Sequence, residues 1–253
     1  MTAPIALQLY TVREAMAGDF TGVVERVADM GYVGVEPIYK LPGTTTGEAA
    51  RLFKDLGLAV PSAHVPLPLG DDERGVLDFM AAMDSPCIIS GKGPDGFFTL
   101  DLLKRTCDLF NEAQAVAAAN GLSLGYHNHW WEYGHVEGRY VYQVMLERLD
   151  PAIAFEIDTY WVWVAGLDPA AVVRELGSRV RWLHIKDGPG VREAPMLPLG
   201  EGKMDIPAVV RAGGDTVEWH IVELDRCDTD MVEAAAKSYT YLVEGGLSHG
   251  KAG

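Results

Sequence analysis

Eight short apolar runs recur along the 253-residue chain, and they constrain its fold more than any other feature. They are IALQLY (5–10), YVGVEP (32–37), LAVPSAHV (58–65), PCIIS (86–90), LSLGYHNH (122–129), IAFEID (153–158), VRWLHIKD (180–187) and VEWHIVELD (217–225). Most are continuous rather than alternating, which is how strands buried on both faces read. Helical patterns lie between them. DFTGVVERVADMG puts Phe20, Val23, Val24, Val27 and Met30 on one face, and TTGEAARLFKDLG and TLDLLKRTCDLFNEAQAVAAANG follow the same rule. Gly31, Gly57 and Gly121 stand where a left-handed C-cap belongs. Thr46, Thr99 and Asp168 are candidate N-caps, the last followed by Pro169 at the first helical position. Alternation of strand and helix demands a parallel sheet. Eight such units in this length predict an α/β fold, a (β/α)8 TIM barrel of eight parallel strands, with residues 1–253 as one domain. An open doubly wound sheet is the alternative. It lacks its G-x-G-x-x-G, because the first strand runs into QLYTVRE. The tail GGLSHGKAG is expected to fray.

Charge and composition narrow the partners. The formal net charge of −15 repels polyanions, so nucleic acid is not expected as a partner. No apolar run is long enough to span a bilayer, and the N-terminus lacks a basic region followed by a long apolar one. No membrane partner is expected. Cys87, Cys107 and Cys227 are odd in number and form no C-x-x-C pair, which fits a reduced, cytoplasmic protein with inert cysteines. Composition leaves a homo-oligomer open.

In a barrel of this kind the chemistry sits at the carboxyl ends of the strands. Polar residues collect there: Gln8 and Tyr10, Glu36, His64, Ser90 and Lys92, then His127, Asn128, His129 and Glu132, Asp158, His184 and Lys186, and lastly Glu223 and Asp225. Glu132, Asp158, His184 and Glu223 offer three carboxylates and one imidazole. Without a cation those carboxylates would repel in a poorly solvated pocket. Oxygen-rich donors with one imidazole suit Mn²⁺ or Mg²⁺, with Zn²⁺ or Co²⁺ as alternatives. Glu156 shares a strand face with Asp158 and is expected deeper in the barrel, bonded to a lysine or tyrosine. Trp130, Trp131, Trp161 and Trp163 either stack on a sugar or cover the barrel mouth. GEGKMD looks like a phosphate loop but has no Lys-Ser/Thr pair.

The motifs YHNHWWEY, FEIDTYWVWVAG, LHIKDG, LGEGKMD and WHIVELD, in that order, resemble the sugar phosphate isomerase/epimerase family of xylose-isomerase-like TIM barrels. QLYTVRE, GVEP and SAH match more loosely in the first half. The resemblance implies a metal held by a Glu after the fifth strand, an Asp from the sixth, a His from the seventh and a Glu from the eighth. Asp158, His184 and Glu223 fall on their motifs, and the fifth-strand ligand is placed on Glu132, with His129 or Glu137 as alternatives. Ketose epimerases of the superfamily carry a histidine three residues after the Asp, where this chain has Trp161, and an arginine after the seventh strand, where it offers Lys186.

The expected activity is a divalent-metal-dependent isomerisation or epimerisation of a sugar or keto-sugar. A proton α to a carbonyl leaves, the metal stabilises the enediolate, and Glu132 and Glu223 act as base and acid by turns. Gln8, Glu36, His64, His127, Asn128, His129, Trp161 and Lys186 are the expected substrate contacts. The main alternative is a lyase or dehydratase acting on a 3-keto-glycoside or inosose. An endonuclease IV-like repair enzyme would need three zinc ions and a basic face, which seven histidines and a charge of −15 argue against. An inactive sugar-binding barrel would not need Asp158, His184 and Glu223 intact.

Overall fold

In the computed structural model, which describes residues 2–251, the eight apolar runs become one parallel sheet. Its strands are β1 (Ile5–Gln8), β2 (Gly34–Glu36), β3 (Ala63–His64), β4 (Cys87–Ser90) and β5 (Ser123–His127) from the first half. A two-stranded antiparallel hairpin, β6 (His135–Val136) and β7 (Arg139–Tyr140), interrupts the series. The barrel resumes with β8 (Ala154–Asp158), β9 (Val180–Ile185) and β10 (Trp219–Val222). The sheet order is β2-β1-β10-β9-β8-β5-β4-β3. Single bridges Gly34–Ala59 and Ile38–His64 join its two ends, so the barrel is nearly closed. Pro61 explains the short β3: it removes a donor from the middle of the run, and the pairing divides on either side of it.

Strand alternation sorts the interior into layers. Ala6, Cys87, Ile89, Ala154, Trp182 and Ile221 pack together at the base. Gly125 makes room there: a Cβ on it would meet Ile89 Cδ1 at 2.5 Å and the Trp182 ring at 3.1 Å. Two residues further along the same strands come Gln8, Glu156, His184 and Glu223, all buried. Asp158 and Lys186 follow at the mouth. The helices cover the outside with their apolar faces, capped largely as the sequence predicts. Gly31, Gly57 and Gly121 have φ of 104°, 69° and 73°. Thr99 and Asp168 are N-caps, whereas the helix Thr46–Asp55 is capped by Thr45, not Thr46, through a reciprocal pair with Glu48.

The tail does not fray within the described residues. His249 donates its amide to the Ala3 carbonyl at 3.0 Å, and Lys251 donates to the Gly31 carbonyl at 2.8 Å. Ser248 Oγ lies 2.7 Å from Nδ1 of buried His220. The last two residues of GGLSHGKAG, 252 and 253, lie outside the described residues. No described helix is long and apolar enough to cross a membrane.

Candidate active site

The site is built from strand ends. His184 from β9 is at its centre, fully buried, with its ring nitrogens divided between two groups of acids. Nδ1 lies 2.8 Å from Glu223 Oε2. Nε2 lies 2.7 Å from Glu36 Oε2 and 3.1 Å from Glu156 Oε2. Burial alone would lower the His184 pKa, but Glu156, Glu36 and Glu223 raise it well above the ordinary imidazole value.

Below His184, Glu36 is fixed from three sides. Gln8 Nε2 donates to Oε2 at 2.7 Å, the Ser62 hydroxyl donates to Oε1, and His184 Nε2 lies against Oε2, with His64 Nε2 further off at 3.4 Å. Burial, with Glu156 beside it, raises the Glu36 carboxyl. Gln8 and Glu36, expected to touch substrate, therefore lie beneath the imidazoles. Glu156 corrects a second expectation. Its partners are histidines, not a lysine or tyrosine: His64 Nε2 at 2.7 Å, His127 Nδ1 at 2.9 Å and His184. Despite its burial these hold its pKa well below normal, with His184 the strongest. Glu156 Oε1 has no hydrogen-bond partner among the described residues. Burial pushes His127 well below the imidazole value, while Glu36 and Glu156 raise His64 against the opposing pull of burial.

Above His184, Lys186 is 1 % exposed with three acids around it. Its Nζ lies 2.8 Å from Asp158 Oδ2, 2.8 Å from Glu223 Oε2 and 3.0 Å from Asp225 Oδ2. Desolvation opposes the charge, yet the acids raise the lysine pKa well above normal. Burial lifts the Asp158 carboxyl to about 6 against the pull of Lys186. Lys186 and His184 hold Glu223 well below the usual range against its own desolvation. Asp158 also starts a helix: its Oδ1 accepts the Trp161 amide at 2.9 Å. Asn128, expected at the substrate, bridges strands instead. It accepts from the Asp158 amide at 3.0 Å and donates to the Asp158 carbonyl at 3.2 Å.

Of the four residues expected around a metal, the structure brings Asp158, His184 and Glu223 together and leaves Glu132 aside. The short helical turn Trp131–Tyr133 folds Glu132 back under its own loop. Oε1 accepts the Tyr126 hydroxyl at 2.7 Å and Oε2 accepts the His129 amide at 2.9 Å, so both oxygens are engaged. Glu137 stands at the tip of the β6–β7 hairpin, with φ of 49°. His127 takes the vacant corner: ligand atoms of His127, Asp158, His184 and Glu223 all lie within 4.8 Å of one another. Two imidazoles and two carboxylates in one buried pocket fit a divalent cation. A second group, His64, His127, Glu156 and His184, meets the same distance and overlaps the first. Sequence reasoning missed Ser62, Tyr126 and the role of His127 as a corner of this group. The inward parity of His127 on β5 was the available signal for the last.

Over these residues lies a cavity of about 440 Å³, lined by His64, His127, His129, Trp131, Trp161, Lys186, Glu223 and Asp225 among others. That volume suits a small ligand. His129 stacks on Trp131 with ring centroids 4.2 Å apart. Trp130 and Trp163 are not among its lining residues: Trp130 lies under the Arg192 guanidinium, and Trp163 packs against Tyr160. GEGKMD is a structural loop. Asp187 accepts the amides of Gly200, Gly202 and Met204, and Asp205 caps the next helix, so these backbone donors are engaged within the protein.

Residues 24–216 match the xylose isomerase-like TIM barrel, and the chain belongs to that family. Among solved structures, a sugar phosphate isomerase/epimerase from Parabacteroides distasonis ATCC 8503 is 22% identical, with 96% of this chain and 94% of that one covered and a TM-score of 0.79. The probable 3-DHS dehydratase AsbF from Bacillus anthracis is 14% identical, covering 94% and 98%, with a TM-score of 0.76. The IolI protein, solved with a zinc atom, is 12% identical, covering 97% and 99%, with a TM-score of 0.72. At these identities the likeness carries the fold. No curated protein matches the chain by sequence.

Proposed function

We propose that this protein is a divalent-metal-dependent isomerase or epimerase of a sugar or keto-sugar that removes a proton α to a carbonyl. The observation that carries the reading is the meeting of His127, Asp158, His184 and Glu223 within ligand distance beneath a sugar-sized cavity. Mn²⁺ and Zn²⁺ suit this mixed nitrogen and oxygen set; Co²⁺ is admitted, and Mg²⁺ prefers oxygen alone. Bound there, such an ion supplies Lewis-acid polarisation of a carbonyl and its neighbouring hydroxyl. Glu223, at the cavity wall, is the base; in the metal-free protein Lys186 and His184 hold its carboxyl below the usual range against its own desolvation. Trp131 and Trp161 line the cavity, and indoles there can pack against the C–H side of a sugar ring. Glu132 serves by holding the His129 loop rather than by meeting substrate. The free cysteines agree with a reduced, cytoplasmic setting. A net charge of −15 does not favour a nucleic-acid substrate.

Trp161 favours a second reading. It stands where the family's ketose epimerases carry histidine, and AsbF, of the same fold, is a probable dehydratase. If the same carbanion expels a β-substituent, the enzyme is a lyase acting on a 3-keto-glycoside or inosose. Solvent deuterium exchange into a panel of keto-sugars separates the readings. After chelation and Mn²⁺ reloading, exchange with every hydroxyl retained marks the isomerase or epimerase. Loss of a hydroxyl or aglycone marks the lyase. No exchange from any panel member, with Mn²⁺ bound, would overturn both.

A further inference from the structure

Lys186 holds two of the carboxylates that a divalent ion in the proposed site would need. Asp158 and Glu223, two of its three carboxylate partners, belong to the proposed ligand group. Asp158 Oδ1 already accepts the Trp161 amide at 2.9 Å. The other Asp158 oxygen, Oδ2, is the one Lys186 holds at 2.8 Å. An ammonium sits about 2.8 Å from its acceptors and a divalent ion roughly 2.0–2.6 Å. Both cannot stand between the same two oxygens, and two cations there would repel strongly in so dry a pocket.

We propose that Lys186 is an internal counter-ion that holds the ligand acids together in the metal-free protein and is exchanged for the metal on loading. The inference rests on the ligand assignment made above and goes beyond it. Two features define where the ammonium goes. Asp225 already holds it with both oxygens, at 3.0 and 3.1 Å, and lines the cavity with its side chain 24 % exposed. The Trp161 ring centroid lies 5.5 Å away. Freed from Asp158 and Glu223, Lys186 keeps Asp225 and turns its spare N–H donors toward the cavity, where a carbonyl or hydroxyl oxygen of the sugar accepts them. Metal loading therefore precedes productive sugar binding.

Titration of Mn²⁺ into chelator-treated protein, with the free ion read by electron paramagnetic resonance, tests the exchange. Lys186→Met should bind Mn²⁺ more tightly, by roughly tenfold or more, because the competing charge is gone. Unchanged or weaker binding overturns the proposal. Asp225→Asn should weaken binding in the wild-type background, and that loss should vanish when Lys186→Met is also present. A loss that persists in the double variant means Asp225 acts on the ion directly, and the exchange fails. Amine labelling of wild-type Lys186 does not depend on any variant folding. The lysine should be protected without Mn²⁺ and labelled several-fold faster when Mn²⁺ saturates, with exposed Lys54 as reference. Equal protection in both states overturns the exchange while leaving the ligand assignment standing. If wild-type protein binds no Mn²⁺, the ligand assignment fails and the exchange with it.

Discussion

His184 can bind a metal only if one ring nitrogen is bare, and its neighbours determine which. Nδ1 faces Glu223 and Nε2 faces Glu36 and Glu156. On the proposed ligand assignment, an Nε2 proton shared with Glu36 would leave Nδ1 as the atom that could hold the ion. Gln8 and Ser62 hold Glu36 for that task. Glu36→Gln should weaken Mn²⁺ binding about 10- to 100-fold without unfolding the barrel, as losses behind a metal-bound histidine usually do; metal titration beside circular dichroism checks it. Glu132→Gln should do the reverse. Its carboxylate ties Tyr126 to the His129 amide, so the change should cost about 1–3 kcal/mol of stability and leave Mn²⁺ affinity within a few-fold. Urea unfolding and the same titration decide it. These residues also show what the sequence could convey. Asp158, His184 and Glu223 were legible because each follows the inward parity of a strand whose end is obvious. Glu132 was not, because a turn of three residues redirects it toward its own loop. Glu156 was legible in parity but not in partners, since His64, His127 and His184 come from three other strands.

Among the elements, the barrel strands announce themselves by unbroken apolar runs, and the β6–β7 hairpin does not. Its strands have two residues each, too few for any periodicity to register. The turn between them holds Glu137 at φ 49° and Gly138 at φ 81°, the pair of left-handed residues that a two-residue hairpin loop requires. Glycine meets that demand freely, whereas glutamate is held there against its preference. Glu137→Gly or Glu137→Asn should therefore stabilise the protein modestly, by about 0.5–1 kcal/mol, the scale of such turn corrections. Matched urea midpoints for wild type and variant measure it, and a lowered midpoint would contradict it. Gly31 makes the opposite case. Its φ is 104°, and a Cβ would meet Tyr239 Oη at 2.2 Å, so Gly31→Ala should be strongly destabilising in the same assay.

The whole molecule is closed at the base by its own tail, which makes its stability depend on pH through a residue far from the cavity. His220 on β10 is 2 % exposed and bonded to Ser248, and burial lowers its pKa to about 4. An unfolded chain would protonate the same imidazole near pH 6.5. Between those values the unfolded chain takes up a proton that the folded chain refuses, so acid favours unfolding. The stabilisation from His220 is full above about pH 6.5 and is lost as pH falls toward about 4, a change on the order of 3 kcal/mol. His220→Gln removes the titrating group and keeps a polar partner for Ser248. Urea unfolding of wild type and variant from pH 7.5 to 4.5 should show the stability difference between them drifting against the wild type by about 2–3 kcal/mol. Deleting residues 248–253 should abolish most of that drift, because water then reaches the imidazole and returns its pKa toward the unfolded value. A drift of the same size in the truncated protein would mean that something other than the docked tail keeps His220 dry.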